Sequence, residues 1–433
     1  MNDSIDESTA LRLLEALEDG RLDYLFQAAH VDYGEREGYS GTSLTLGLPR
    51  DAVTHLLTTV RRAQGLTILA GAWGDYSGWI TLSAELVELL HWIDIRAGFD
   101  FGSSPDLPED EIRHLKNQIL IEEVLPLGLT SGELIPANEI DRSQVMDAAR
   151  RMLQEGTDPI TEYERWVLRF FDMMQRLPEL AAPPLTVERL RELHAQLSLD
   201  EALGGIYRAT EHVRNPGADG QGAAPQRIAS EMNAIAAYGM DNQKPFIHPL
   251  IKAIVYYYWI RRVQPFSVAN GLFARLVAHI YEYQQGYRCL PCTPLTRTQS
   301  FEWAVPPSDM AESNFDVTAF IIKRLHLFLN AYIEAEREIN TTTRRYRSLC
   351  ARFRGLDINQ RQARILDKAL GTPTKVFTIR HHARSRGLAY ETARQDFLQL
   401  VSAGYLEQTK RGRVFEFRLA QDAARRLLPF LSA

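Results

Sequence analysis

The sequence predicts a mainly helical chain that ends in a small module of helices and strands. Apolar residues recur at three- and four-residue spacing over residues 250–259, and the same spacing predicts one long helix from Val317 to about Phe353. Residues 359–403 carry three further helical patterns, and residues 405–419 alternate as a two-stranded hairpin does. We therefore expect a helical body, a connecting helix and a terminal module.

The composition is that of an ordinary globular protein. The chain has 433 residues, of which 45% are hydrophobic and 24% charged, and this length allows two or three domains of roughly 100–200 residues. No stretch reaches the ~18 apolar residues that a membrane span needs, and the first residues lack the basic start and apolar run of a signal peptide. We therefore predict a cytoplasmic protein with no membrane partner.

The charge is distributed unevenly along the chain. The net charge of −6 comes from 49 basic and 55 acidic residues, but the segment from Leu356 onward has 14 basic against 7 acidic residues. Only the end of the chain is therefore basic. Cys289 and Cys292 form a C-x₂-C without a second pair, so no metal site is predicted.

One stretch carries the most specific signal, Gln264 to Arg275, which reads Gln-Pro-Phe-Ser-Val-Ala-Asn-Gly-Leu-Phe-Ala-Arg. Pro265 is expected to end the helix before it, and Asn270-Gly271 to form a tight turn before the next helix. Backbone amides at a helix start point toward an anion, and the helix dipole favours negative charge there. This geometry would suit a phosphate.

This stretch resembles the signature HPFxDGNGRxxR of the Fic (Fido) family, most members of which transfer AMP from ATP to a protein hydroxyl. His248-Pro249 resembles the His-Pro that opens the preceding helix, and residues 205–208 resemble the G-x-[YF]-R segment. Residues 185–197 resemble the helix before that segment, so that the resemblance covers roughly residues 185–295. It implies a Fic-type helical core.

The resemblance also implies a short β-hairpin flap between Arg208 and Gln226, where members of the family dock the target peptide by strand pairing. A protein target or partner at the flap is therefore expected.

Three catalytic positions depart from the Fic pattern. Gln264 replaces the His that takes the proton from the target hydroxyl; an amide cannot titrate, and a positioned base contributes typically ~10²–10⁴ in rate. Val268 replaces the acid that holds Mg²⁺, and Leu272 replaces the first Arg, which helps to neutralise phosphate charge. The candidates that remain for a nucleotide or anion site are Ala269, Asn270, Gly271 and Arg275.

Residues 121–133 resemble a regulatory helix that one subgroup of the Fic family carries, with the pattern [ST]-x-x-x-E-G. The alignment places Ser131 where that subgroup has an inhibitory Glu, which pairs with the last Arg of the motif and blocks productive ATP binding. A serine cannot form this ion pair. We therefore expect that the catalytic groups and the inhibitory group are missing together.

The terminal module resembles the winged helix-turn-helix module that many Fic proteins carry at this position. In that fold the third helix enters the DNA major groove and the hairpin contacts the backbone. Glu391 is expected beside the reading residues and would oppose binding. The predicted DNA-binding residues are Tyr390, Arg394 and Gln395 on the helix, and Lys410, Arg411 and Arg413 at the hairpin. Docking of a protein is the alternative for this module.

We predict four regions: residues 1–105 of unknown role, a Fic-like helical domain at 106–315, a connecting helix at 316–355, and a winged helix-turn-helix domain at 356–433. The Fic-like domain has its core at 185–295 and its motif at 264–275.

Our functional hypothesis is a catalytically inactive Fic-family protein that acts as a DNA-binding regulator or an interaction scaffold. A second hypothesis is a divergent enzyme that transfers AMP or another phosphate-containing group to a protein hydroxyl, and a third is a regulator whose Fic-like pocket senses a small molecule. No cofactor is expected unless ATP with Mg²⁺ still binds. A replacement base would have to come from Tyr257, Tyr258 or His248, of which the tyrosines have too high a pKa and the histidine lies a helix length away.

Overall fold

The structure is a computed structural model that describes residues 11–12, 15, 18–20, 49–73, 76–97, 107–125, 142–155, 157–211, 222–240, 246–288, 316–412 and 414–431. Over these residues the chain forms fifteen helices and five short strands, so the prediction of a mainly α fold is confirmed. Among the described helices, none has both the length and the apolar character needed to cross a membrane.

In the described part of the helical body there are ten helices and one β-hairpin, followed by a long helix. The helices are α1 (Arg50–Gln64), α2 (Ala84–Ala97), α3 (Glu109–Val124), α4 (Arg142–Glu155), α5 (Glu162–Gln175), α6 (Leu177–Leu180), α7 (Val187–Leu197), α8 (Pro225–Met240), α9 (Pro249–Val263) and α10 (Asn270–Gln284). The antiparallel hairpin is formed by β1 (Leu66–Trp73) and β2 (Tyr76–Ile80), and the long helix is α11 (Thr318–Arg352).

Helices α9 and α10 pack against each other at the centre of the body. All but three of the fifteen residues of α9 are buried, because α8, α11 and β1 also pack on it. A helix that is apolar on all sides can be stable only when it is enclosed in this way. The short loop between α9 and α10, which contains the motif, therefore starts and ends on rigid supports.

Helix α11 runs without interruption for 35 residues. It contains no Pro or Gly, the residues that most often break a helix. Helix α2 packs along it, and the β-hairpin is attached at its start, where the amide of Val317 donates to the carbonyl of Trp79 at 3.0 Å. One hydrophobic core extends from Ile68 in the hairpin to Tyr346 in α11.

The terminal module contains four helices and a three-stranded antiparallel sheet of order β3-β5-β4. Its elements are α12 (Gln360–Gly371), β3 (Phe377–Thr378), α13 (Ile379–Arg386), α14 (Tyr390–Ser402), β4 (Leu406–Arg411), β5 (Val414–Leu419) and α15 (Ala423–Leu431). Three helices and the hairpin lie where the sequence placed them, whereas β3 and α15 were not predicted. The interpretation as a winged helix stays a prediction.

Local signals in the sequence explain the ends of these helices. Asn359 and Gln362 form a capping box at the start of α12, and the Thr378 hydroxyl accepts from the amide of His381 to cap α13. Gly387 ends α13 in the left-handed conformation with φ of 62°. The module has a hydrophobic core of its own, in which Phe397 stacks on Phe417 with ring centroids 4.6 Å apart.

Polar contacts between α3 and α13 join the module to the helical body. A guanidinium nitrogen of Arg113 donates to the carbonyl of Gly387 at 2.8 Å, and the ring Nδ1 of His114 lies 2.6 Å from the carbonyl oxygen of Ser385. Nη1 of Arg386 lies 2.7 Å from Oε1 of Glu111. These contacts connect α3 directly to the module.

Candidate functional site

The loop between α9 and α10, residues 264–269, is called the motif loop below. It turns at two residues with positive φ, Gln264 at 46° and Ala269 at 58°, which are the only non-glycine residues of this kind in the described part of the chain. Such residues cost of order 1–3 kcal/mol each and persist where the surroundings hold them in place. The predicted turn at Asn270-Gly271 is wrong, because both residues already belong to α10.

Asn270 holds the motif loop closed with both ends of its side-chain amide. Its Oδ1 accepts from the amide of Phe266 at 3.0 Å, and its Nδ2 donates to the carbonyl of the same residue at 2.8 Å. Asn270 is 3% exposed. The side chain that was expected to line an anion pocket therefore supports the loop from within.

His194 on α7 supports the loop from the opposite side. The amide of Gly205 donates to Nδ1 at 3.0 Å, so the ring hydrogen is on Nε2, which donates to the carbonyl of Val268 at 3.1 Å. The ring stacks on Phe266 with centroids 3.5 Å apart. Burial lowers the pKa of His194 to about 4, so the ring is neutral at pH 7.

Arg208 binds the backbone at the start of the motif loop. Its Nε donates to the carbonyl of Gln264 at 2.7 Å, its Nη1 to the carbonyl of Thr210 at 2.8 Å, and its Nη2 to the carbonyls of Val263 and Ala223. Its own amide donates to the carbonyl of Pro265 at 3.0 Å. Residues 205–208 therefore have a structural role, since the Arg208 guanidinium holds the motif loop to the segment that precedes α8.

Gly222 packs closely against Gln264. A Cβ at this glycine would lie 2.7 Å from the Cβ of Gln264, from Nη2 of Arg208 and from the carbonyl oxygen of Val263. Gln264 is consequently only 2% exposed. Among the described residues, Gln264 therefore belongs to the buried interior beside the motif loop.

The other two altered positions add hydrocarbon to the interior. Val268 is 7% exposed and Leu272 is 3% exposed. Mg²⁺ requires oxygen ligands, which neither side chain has. In the described parts of the chain no group of three or more His, Cys, Asp or Glu side chains is arranged for a metal ion. The residues present at the motif therefore do not fit Mg²⁺.

Arg275, the last residue of the motif, forms a buried ion pair with Glu123 of α3. The carboxylate and the guanidinium are each nearly inaccessible to solvent. An acidic side chain therefore opposes Arg275, which the alignment with a serine at position 131 did not anticipate. Ser131 itself lies outside the described residues, so its alignment with the inhibitory Glu stays a prediction. Next to the pair, Nδ1 of His279 lies 2.9 Å from Oε2 of Glu282.

The four candidate residues for a nucleotide or anion site are close in sequence, but their side chains have different surroundings. Asn270 and Arg275 use their side chains within the protein, Ala269 is buried with left-handed geometry, and Gly271 is half-buried at the first turn of α10. The helix start can still present backbone amides to an anion. The tip of the predicted flap, residues 212–221, lies outside the described residues.

The side chains considered as replacement bases are engaged elsewhere. His248 caps α9 and its Nε2 lies 3.1 Å from Oδ2 of Asp94. The hydroxyl of Tyr257 accepts from Arg261 at 3.1 Å, and Tyr258 packs against Phe320. None of these three contacts belongs to the motif loop.

In the terminal module, the predicted DNA-binding residues that the structure describes are exposed. Tyr390 is 55% exposed, and Arg394 and Gln395 lie on the same open face of α14. Both Arg394 and Gln395 donate to Oε1 of Glu391, at 2.8 and 3.0 Å. Lys410 and Arg411 are exposed at the end of β4, and Arg413 lies outside the described residues. Glu391 therefore lies beside Arg394 and Gln395 on this face, and the role of these residues in DNA binding stays a prediction.

Residues 184–281 match the model of the Fic/DOC family. The chain contains a Fic domain. The matched segment begins just before α7 and ends within α10, so it includes His194, Arg208 and the whole motif. The helices that support the motif loop are therefore those of the Fic domain.

Several solved structures are similar to this chain. They include a Fic family protein from Desulfovibrio desulfuricans G20, with 17% identity over 79% of this chain and 97% of that one, at a TM-score of 0.46. Residues 134–508 of Fic-1 from C. elegans match with 18% identity over 72% of this chain and 78% of that one, at a TM-score of 0.43. A Fic domain containing signaling protein from Bacteroides thetaiotaomicron VPI-5482 matches with 16% identity over 60% and 97%, at 0.40. No curated protein matches the chain.

Proposed function

We propose that this Fic-domain chain does not transfer AMP and acts as a DNA-binding regulator. The main observation against AMP transfer is the identity and the burial of Gln264. This residue occupies the position of the base, cannot accept a proton from a hydroxyl at neutral pH, and is buried beside Gly222.

The other groups near the motif loop do not replace the missing chemistry. Transfer of AMP requires a base for the target hydroxyl and positive charge for the phosphates. His194 is neutral, but both of its ring nitrogens are used by backbone groups and the ring is fully buried. Val268 and Leu272 cannot bind a cation or a phosphate.

The test is transfer of labelled AMP from ATP with Mg²⁺, either to the chain itself or to proteins of a bacterial lysate. We expect no incorporation. A Glu123→Ala variant belongs in the same assay, because it removes the partner of Arg275 and so excludes inhibition by that ion pair. Incorporation that is lost in an Asn270→Ala variant would overturn the proposal.

Exposed basic and polar groups in the terminal module support the proposed DNA binding. The open face of α14 presents Arg394 and Gln395, side chains that pair with base edges in a major groove. Lys410 and Arg411 lie at the end of β4, where the Arg411 side chain is 84% exposed. Such cations neutralise phosphates and make binding fall with salt.

DNA binding is tested with the full chain, by fluorescence anisotropy on mixed genomic fragments over a series of salt concentrations. The double variant Lys410→Gln/Arg411→Gln should weaken binding and lower the salt slope by about 2, since each phosphate contact contributes roughly one unit. Arg425→Gln, an exposed position on α15, is the matched control. Absent binding, or binding that the double variant leaves unchanged, would favour a protein-docking role instead.

A further inference from the structure

A cleft of about 470 Å³ lies between the helical body and the terminal module. Helices α3 and α11 form one wall, and α12 and α13 form the other. We call it the interdomain cleft, and its charged lining includes Glu111, Arg345, Arg364, Lys368 and Arg386. Its volume is within the range of roughly 300–1,000 Å³ that is usual for small-molecule sites.

Two guanidiniums share one carboxylate at the floor of the interdomain cleft. Glu111 is 3% exposed and forms ion pairs with both Arg364 and Arg386. The Arg364 side chain also lies over the ring of Tyr346, 5.2 Å from its centroid. These three charges leave one positive charge in excess.

The other acidic groups of the lining do not remove this excess. Asp367 pairs with Arg352, and Glu122 pairs with Arg150 at 3.0 Å, so both are neutralised by arginines that do not line the cleft. Glu338 is the remaining carboxylate of the lining.

Arg345 and Lys368 add two further cations at the exposed rim. Neither forms an ion pair with any residue that the structure describes. The carboxylate of Asp110, which does not line the cleft, also acts on Arg364 and Arg386. Apart from the two carboxylates that are paired with outside arginines, the four basic side chains of the lining therefore face three carboxylates, those of Glu111, Glu338 and Asp110.

The pKa values of the basic groups are consistent with this excess. Burial and the neighbouring charge of Arg386 lower the pKa of Arg364 to about 9. The side chain of Lys368 is accessible at the rim, yet the protein around its ammonium group and the charges of Arg386, Lys375 and Arg364 lower its pKa to about 8. Burial followed by the charge of Arg386 lowers the pKa of His114 to about 4, so this ring adds no charge.

We propose that the interdomain cleft binds a small molecule that carries two or more phosphate groups. Guanidiniums bind phosphate through paired N–H groups, and a lysine adds a point charge, so this set of side chains suits closely spaced phosphates better than a single carboxylate. This site is distinct from the motif loop and does not depend on the absence of AMP transfer.

The ligand would connect two parts of the chain. Arg345 belongs to α11, whereas Arg364 and Lys368 belong to α12 and Arg386 belongs to α13. An anion held between these groups stabilises the docked arrangement of body and module, since it binds that arrangement better than a separated one. The proposed ligand is therefore an effector of how the module is positioned.

The experiment is calorimetric titration of the full chain with inorganic pyrophosphate. We expect one site per chain and an affinity at least tenfold lower in the double variant Arg345→Gln/Lys368→Gln, whose two positions are exposed. Arg344→Gln, on the same helix and outside the cleft lining, is the matched control and should bind as the wild type does.

Three outcomes would overturn the proposal: no binding of pyrophosphate by the folded wild type, binding that the double variant leaves unchanged, or an equal loss in the Arg344→Gln control. If the double variant instead loses only DNA binding, the cleft residues belong to a nucleic-acid surface and the small-molecule site is rejected.

Discussion

Glu123 of α3 forms a buried ion pair with Arg275 of α10, across 152 positions of sequence. The same helix carries Glu111, which pairs with Arg364 and Arg386 of the terminal module. The two glutamates are twelve positions apart, which corresponds to about 18 Å along an α-helix. One helix therefore contacts both the last residue of the Fic motif and the module.

Removing Glu123 alone should destabilise the protein more than removing both Glu123 and Arg275. Glu123→Leu leaves a guanidinium buried without its carboxylate, which typically costs ~3–5 kcal/mol of unfolding free energy. The double variant Glu123→Leu/Arg275→Met removes both charges and should recover a large part of that loss. Urea unfolding monitored by circular dichroism measures both, and equal stability of the single and double variants would contradict the account.

Gly222 should not tolerate a side chain. Gly222→Ala places a methyl group 2.7 Å from three atoms, one of them a backbone carbonyl oxygen, and overpacking of this kind typically costs ~1–3 kcal/mol. Gly371→Ala is the control, because no atom lies within 4 Å of that position at the end of α12. A thermal melt should show a lower Tm for the first variant and an unchanged or higher one for the second. The reverse order would show that Gly222 does not lie on Gln264.

His194 should make stability depend on pH in mildly acidic solution. Burial lowers its pKa from 6.5 to about 4, so below pH 6.5 the unfolded chain binds a proton that the folded chain does not. Stability from this group is complete above pH 6.5 and is lost as the pH falls toward 4, by up to about 3 kcal/mol.

The variant His194→Gln isolates this effect, since glutamine keeps a donor and an acceptor but does not titrate. Other histidines with a lowered pKa, among them His114 and His382, contribute the same pH dependence of stability to the wild type and to the variant. Urea unfolding between pH 7 and 5 should show a smaller decline for the variant. Parallel declines would contradict the assignment of a neutral, buried His194.

Removing the charge of Glu391 should tighten DNA binding severalfold. Its carboxylate accepts from both Arg394 and Gln395 and would repel phosphates beside the reading face. Glu391→Gln can be compared with the wild type by anisotropy, with Glu407→Gln, an exposed position on β4, as the control. Weaker binding by Glu391→Gln would indicate that Glu391 is needed to hold the two side chains in place.

The sequence predicted the features that depend on neighbouring residues. Helical periodicity located α9, α10 and α11, and it placed the start of α12 near residue 359. The spacing of the motif residues also identified Gln264, Val268 and Leu272 as the positions that depart from the Fic pattern. These features require no knowledge of which distant segments meet.

Contacts between distant segments were missed. The close packing of Gly222 on Gln264 and the backbone contacts of Arg208 depend on how the segment before α8 crosses the motif loop. Glu123 lies within residues 121–133, the segment that resembles a regulatory helix, but the alignment placed Ser131 at the inhibitory position. A usable signal was present, because Glu123 follows Leu120 and Ile119 by three and four positions and so lies on the apolar side of α3, where a carboxylate needs a partner.

We propose that the Fic motif of this chain does not assemble Mg²⁺ and ATP for transfer. Calorimetric titration with Mg-ATP tests it most directly when two folded proteins are compared. The first is the Arg345→Gln/Lys368→Gln variant, which lacks two cations of the interdomain cleft, and the second is the same variant carrying Gln264→His, Val268→Asp and Leu272→Arg. We predict no Mg²⁺-dependent binding in the first protein and saturable binding in the second. Saturable, Mg²⁺-dependent binding of ATP in the first protein would contradict the claim.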